Sequence, residues 1–170
     1  WNHFGETDPM WAVLMDPARD GNRWNKREFF ETGREDVKYA MQSIGKMTFP
    51  LRHGRALDFG CAVGRLFPSL QERGQTVVGI DRCREFVAEA RRRHPDVPVL
   101  WRNMRRPHFA RSLPSPSFDN ILCLGHVMGG LFTARDQERL FSICLSLATP
   151  NSRVIIDRFV CSQTAGNWFN

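Results

Sequence analysis

From Arg55 onward the chain repeats one unit: a short apolar run, a turn, then a stretch with helical periodicity. Residues 56–59, 76–81, 97–101, 118–124 and 153–156 are the apolar runs. Residues 65–73, 84–94 and 134–148 are the helical stretches between them, the last opened by Thr133 and Asp136 at capping-box spacing. Strands separated by helices cannot pair as hairpins, because parallel neighbours need a crossover. The rhythm therefore predicts βαβ units, a parallel sheet and the α/β class. The runs are nearly continuous in apolar residues, which fits a sheet covered on both faces. Between Trp101 and Phe118 lies an irregular connection rich in proline (Pro107, Pro114, Pro116).

The first 50 residues have a different texture. They hold three of the five Trp and little strand pattern. Asp8-Pro9 predicts a capped short helix running through Met15, with Pro at its tolerated first position. Residues 17–22 read as a break. Asn25 and Glu28 have capping-box spacing and Gly33 reads as a stop, so residues 26–32 are expected as one helix. A second is expected over 34–45, with Val37, Met41 and Ile44 on one face. The expected organisation is a helical prefix, 1–50, on a ligand-binding α/β unit, 51–170. A length of 170 residues suits one folded unit.

Composition removes several classes. The longest apolar runs are about five residues, against the ~20 that span a bilayer, so no membrane segment is expected. No basic region followed by an apolar stretch opens the chain, so no secretory signal is expected. The five Cys are odd in number and form no C-x-x-C pair. A disulfide framework and a metal site are not expected, and a reducing, cytoplasmic setting is. The formal charge is +6, and only three of 24 basic residues are Lys. The Arg are scattered except at Arg91-Arg92-Arg93 and at Arg102, Arg105, Arg106 and Arg111. A solvated surface is the expected reading. A nucleic-acid partner would declare itself by steep salt dependence of binding.

In a doubly wound sheet ligands sit beyond the carboxyl ends of the strands. The loop after the first run is Asp58-Phe59-Gly60-Cys61-Ala62-Val63-Gly64-Arg65. Gly60 accommodates positive φ at the strand end, the small residues admit a ligand to the backbone, and Gly64 permits tight helix–strand packing at the start of the next helix. Asp81 ends the second run, 17 residues after Gly64, where a carboxylate accepts from both hydroxyls of a ribose. It also has the position of a cap for the next helix. Loop, helix and strand-terminal acid together point to an adenosine-containing ligand. A dinucleotide fingerprint needs G-x-G-x-x-G, but here the glycines are spaced G-x-x-x-G with Ala62 between them. Asp58 beside the loop repels a pyrophosphate and attracts an ammonium and a nearby sulfonium. S-adenosyl-L-methionine carries both.

The run from Leu57 to Arg65 resembles the first motif of class I S-adenosylmethionine-dependent methyltransferases. Gly79-Ile80-Asp81 resembles the second, Trp101-Arg102-Asn103-Met104 the loop after the third strand, and Phe118-Asp119-Asn120-Ile121-Leu122 the fourth strand. The resemblance covers roughly Arg55 to Phe159. It implies a Rossmann-like doubly wound sheet of about five parallel strands, ordered 3-2-1-4-5, beneath an N-terminal helical lid. It implies that Asp58, Gly60, Cys61, Ala62 and Gly64 hold the methionyl part and Asp81 the ribose. Arg82 and Met104 would flank adenine, Asn103 would approach its exocyclic amine, and Leu124 and Gly125 would border the site. Two positions depart from the pattern: Ala62 stands for Gly, and Asn103 for the more usual Asp. The antiparallel strands that end the fold are expected to be missing, as in a fragment.

Methyl transfer needs alignment and a dry pocket, and a base only if the acceptor must lose a proton. His126, past the fourth strand, is the candidate base, with Asp157 second. His3, His53, His94 and His108 have no comparable position, and Trp24 and Tyr39 are candidates to face the pocket. The expectation is methylation of a small-molecule acceptor. A NAD-type oxidoreductase and a non-catalytic binding module of the same fold are the alternatives.

Overall fold

A computed structural model of the chain describes residues 2–45, 54–106, 109, 113, 118–125, 127 and 133–156. The elements are α1 (Asn2–Thr7), α2 (Pro9–Leu14), a 3-10 turn (Pro17–Arg19), α3 (Lys26–Gly45), β1 (Arg55–Phe59) and α4 (Phe67–Gln71). They continue with β2 (Thr76–Asp81), α5 (Arg84–Arg93), β3 (Val99–Trp101), β4 (Phe118–Cys123), α6 (Ala134–Leu147) and β5 (Ala148–Ile156). The five strands form one sheet in the order β3-β2-β1-β4-β5, and every pair is parallel. This is the Rossmann-like arrangement expected. The order reverses between β1 and β4, so the crevice for a ligand opens beyond their carboxyl ends.

Side chains alternate across a strand, and the alternation sorts the core into two layers. Ala56, Val77, Leu122 and Leu124 face α3, α4 and α5 with Val37, Phe67, Leu70 and Val87. Leu57, Val78, Ile80, Ile121 and Cys123 face α6 with Leu140, Ile143 and Leu147. Asp58 stands one residue from Leu57, so it falls on the α3 side, under cover. A third cluster joins the prefix to the sheet: Ala12 and Phe29 pack on Val63 of the glycine loop and on Cys83 and Phe86 of α5.

The caps mostly form where the sequence places them. Asp8 accepts from Trp11 N at 3.2 Å and, with its other oxygen, from Asn22 N at 2.5 Å, so it also fixes the following turn. Asn25 Oδ1 accepts from Arg27 N and Glu28 N, but Glu28 turns away to pair with Arg19. Thr133 accepts from Asp136 N at 3.1 Å. Arg91 clamps α5 to the sheet edge through two N–H donors to Val99 O, at 2.9 and 2.7 Å.

The structure corrects four boundaries. Gly33 does not stop a helix: α3 runs unbroken from Lys26 to Gly45. A Cβ on Gly33 would collide with the Arg65 carbonyl oxygen. The glycine therefore serves close packing on the loop below, not termination. The helix expected over 65–73 shrinks to Phe67–Gln71, with Pro68 in its first turn. Ala148 opens β5 instead of closing a helix, and β3 begins at Val99. Pro150 lacks an N–H for the ladder. The β4–β5 register slips there, and the Ser152 hydroxyl donates to Phe118 O at 2.6 Å. α1 was not expected; its sequence lacks an apolar period, and Gly5 seats it against Glu85, Cys83 and Phe86. The expected absence of further strands falls on residues 157–170, outside the described residues.

Two glycines of one helix should respond oppositely to alanine. Gly33→Ala should lower stability by about 1–3 kcal/mol through overpacking. Gly45→Ala meets open space and should gain up to ~1 kcal/mol of helix propensity. Urea denaturation of both variants checks the pair.

Candidate functional site

The loops after β1, β2, β3 and β4 converge on one cleft at the switch point. Its cavity is about 180 Å3, more than ten times the ~10–15 Å3 that one water needs, so it suits a polyatomic ligand. Asp58, Gly60, Cys61, Ala62, Asp81, Arg82, Asn103, Met104, Leu124 and Gly125 all line it. Of the cofactor-site residues expected from sequence, only Gly64 does not. Gly64 has φ +81°, and a Cβ there would lie 2.6 Å from Phe67 Cδ2 and 2.8 Å from His94 Cδ2. Its task is tight packing between loop and helix. His126 and Asp157 lie outside the described residues, as do His53 and His108; Gly125 and Val127, on either side of His126, both line the cleft.

Asp81 carries the geometry of the site. Its Oδ2 accepts from Ala62 N at 2.9 Å and its Oδ1 from Cys83 N at 2.7 Å. The first bond reaches across to the glycine loop. The second is an Asx turn at the strand end; Cys83, not Asp81, is the N-cap of α5. A carboxylate has about four lone-pair directions, so two remain for a ligand. Burial raises the Asp81 pKa, against the backbone donors Cys83 and Ala62, which lower it. Ala62 is held at φ +45°, left-handed backbone that costs a non-glycine residue ~1–2 kcal/mol.

Asp58 is the second anchor. It is 1% exposed, and its Oδ2 is buried with no hydrogen-bond partner. Burial pushes its pKa up to about 7; Arg65 pulls it down and Asp81 adds to the rise. Burial and the Asp58 charge also raise the Cys61 thiol, so Cys61 is not a thiolate nucleophile. Asn103 Oδ1 accepts from Arg105 N at 2.9 Å, which folds the loop and leaves one lone pair of that oxygen for a ligand amine.

Residues 56–151, from β1 into β5, match a family model described as a methyltransferase domain. The chain belongs to this methyltransferase-domain family. Solved structures with the same fold include CalS10 of Micromonospora echinaspora, described as an amino pentose methyltransferase with SAM bound (TM-score 0.63, 20% identity, 81% of this chain and 57% of that one). Others are a SAM-dependent methyltransferase of Leishmania major (0.59, 19%, 89% and 58%) and one of Clostridium acetobutylicum (0.62, 13%, 90% and 56%). The chain thus spans 56–58% of the length of these three structures. No curated protein matches the sequence.

Several residues of this methyltransferase domain's cleft escaped the sequence reading. Arg65, Ala12, Val13, Phe86, Arg102, Arg105 and Val127 also line it. Ala12 and Val13 come from the prefix, where no strand rhythm ties sequence to site. Arg65 follows Gly64 directly, and a charged residue entering an apolar helix was the available signal. Trp24 does not line the cleft; it packs edge-on to Phe29 with Arg19 over its ring. Tyr39 is 74% exposed and away from it. Phe29 is fully buried in the core. The Arg clusters are engaged largely within the chain: Arg91 on Val99, Arg92 and Arg93 on Glu89, Arg105 on Asp136. His94 lies between Phe30 and Phe67, its pKa lowered by burial.

The Asp58 pKa fixes a pH signature. An acid that titrates higher in the folded chain binds more protons there, so its contribution to stability is fully present below the unfolded value near 3.8 and lost as pH rises through about 7. Asp58→Asn should therefore stabilise the chain at pH 8, by roughly 4 kcal/mol at most, with the gain fading toward pH 4. Thermal or urea melts across that range check it.

Proposed function

We propose that this domain is an S-adenosyl-L-methionine-dependent methyltransferase that methylates a small-molecule acceptor by in-line displacement. The observation that carries the reading is the pairing of Asp81 and Asp58 in one cleft. Asp81 is tied to the loop at Ala62 and keeps lone pairs for a diol, while Asp58 offers a buried, unpartnered oxygen. A pyrophosphate placed on this loop would meet that carboxylate, which argues against a dinucleotide. An ammonium beside it gains a charge-assisted bond in a low-dielectric setting.

The roles we assign are those the resemblance implies. Asp58 takes the ammonium end, and the backbone from Gly60 to Ala62, with Cys61, lies along the methionyl chain. Asp81 holds the ribose. Arg82 and Met104 would flank the adenine, with Asn103 near its exocyclic amine, and Leu124 and Gly125 would border the site. When bound, S-adenosylmethionine supplies an already activated methyl group. Attack by an acceptor lone pair would take that methyl as its bond to sulfur broke, with S-adenosylhomocysteine as the leaving thioether. Ala12, Val13 and Phe86 wall the cleft with apolar surface, which excludes water from that path. His126 takes the acceptor proton where one must leave.

The acceptor class rests on the small apolar enclosure and on the internally engaged Arg. CalS10, with an amino pentose acceptor in its description, is one relative of that kind. Among the described residues no helix is long and apolar enough to cross a membrane. The four described cysteines are buried thiols, which suits a reducing, cytoplasmic setting.

Calorimetry with S-adenosylhomocysteine tests the proposal. The chain should bind it, and Asp81→Asn should weaken binding about tenfold to a hundredfold, the worth of one or two hydrogen bonds to a charged group. No binding by the chain itself, or equal binding by the variant, would overturn the assignment.

A further inference from the structure

Arg65 is the one buried cation among the described residues, 4% exposed. It starts from the glycine loop and reaches into the prefix helix. Its Nη1 donates to Thr32 Oγ1 at 3.0 Å, and its Nη2 to Asp36 Oδ2 at 2.5 Å. Thr32 is itself fixed, donating to Phe29 O at 2.7 Å. Gly33, lacking a Cβ, lets the helix settle on the Arg65 carbonyl. Arg65 lines the cleft together with Asp58, and its Nη2 lies 3.5 Å from where a Cβ on Gly125 would stand.

The charges around Asp58 are few. From the loop come Arg65 and Cys61, and from β2 comes Asp81. The residues beside Asp58 in register, Gly79 and Leu122, bring none. Asp36 of α3 stands behind Arg65. Arg65 is thus the only cation among these groups, and the buried Oδ2 of Asp58 has no N–H to support its charge. Burial and Asp81 both favour the neutral acid. A neutral carboxyl would offer an ammonium only a dipole.

We propose that Arg65 is a positioning residue: gripped by Thr32 and Asp36 of α3, its guanidinium is held in the cleft that Asp58 lines, where it favours a carboxylate and so lets the docked prefix equip the cleft for a cationic ligand. The inference rests on the reading of Asp58 as the ammonium's partner. Arg65 divides its charge between two acids. Removing Arg65 leaves Asp58 to burial and Asp81, and its titration moves alkaline. Removing Asp36 leaves more of the charge to Asp58, and its titration moves acid. A merely structural role predicts otherwise: an undocked α3 admits water to Asp58, and both changes move it acid.

The test follows the Asp58 carboxyl by carbon-13 NMR against pH in the ligand-free whole chain, with Asp58→Asn assigning the signal. Binding of S-adenosylhomocysteine is measured by calorimetry on the same samples. The wild-type midpoint should lie near 7. Arg65→Met should move it alkaline by about one unit or more and weaken binding at pH 7 about tenfold. Arg65→Lys, which keeps the charge, should restore the midpoint, and Asp36→Asn should move it acid. A folded Arg65→Met with an unchanged or acid-shifted midpoint overturns the proposal. Should that variant fail to fold, Arg65→Gln decides: an alkaline shift supports the proposal, and an unchanged or acid-shifted midpoint overturns it. If the wild type binds no S-adenosylhomocysteine, the ligand reading falls, while the titrations still judge Arg65.

Discussion

One carboxylate fastens three elements at the mouth of the sheet. Asp81 ends β2, accepts from Ala62 N in the glycine loop, and accepts from Cys83 N at the start of α5. Hydrogen bonds to a charged group contribute ~1.5–3 kcal/mol each, enough to hold Ala62 in left-handed backbone at a cost of ~1–2 kcal/mol. The loop therefore has its binding shape before any ligand arrives. Ala62 is also where this sequence departs from the pattern it resembles. With glycine the conformation would come without strain; with alanine it is held by Asp81. The acid that reads as a ribose contact is thus first a strut for its own loop.

Asp58 does the opposite for stability. It sits on a buried strand face, and its Oδ2 finds no donor, so its ionised form is unfavourable in the empty cleft. An apolar residue would pack there at no such cost. An unpartnered buried carboxyl beside a cleft does nothing for packing, and it makes Asp58 a candidate ligand contact. The nearest relief comes from Arg65, which the prefix holds in place. The prefix and the sheet are therefore joined by charge as well as by the Ala12, Phe29 and Val63 contacts.

The sheet was legible because its strands are continuous apolar runs bounded by Gly, Asp and Pro, which periodicity reads directly. Thr76–Asp81 matches the expected bounds to the residue. The site was legible where loop chemistry is local: Gly60 to Ala62, Asp81 and the stretch after β3 all reach the cleft. What was lost depends on distant partners. Gly33 carries the composition of a helix stop, and only the Arg65 carbonyl beneath it shows another use. Trp24 looks like a ligand contact by type, yet its ring is taken by Phe29 and Arg19. Arg65 reads as a surface charge until α3 covers it.

The two motif glycines illustrate the same point at finer grain. Each has positive φ, and the sequence reading places both in the ligand's loop and gives Gly64 tight helix–strand packing as well. In the fold each also makes room for protein. A Cβ on Gly60 would stand 2.7 Å from Val127 Cγ2, so Gly60 is what lets the loop after β4 close onto the loop after β1. Gly64 does the same for Phe67 and His94 on the far side. The crevice at a switch point exists only if the two loops that flank it can approach each other. A side chain at residue 60 would part them, and Asp58 and Gly125 would then no longer border one cavity. The spacing that looks like a ligand signature is, in mechanical terms, a condition for the cleft to form.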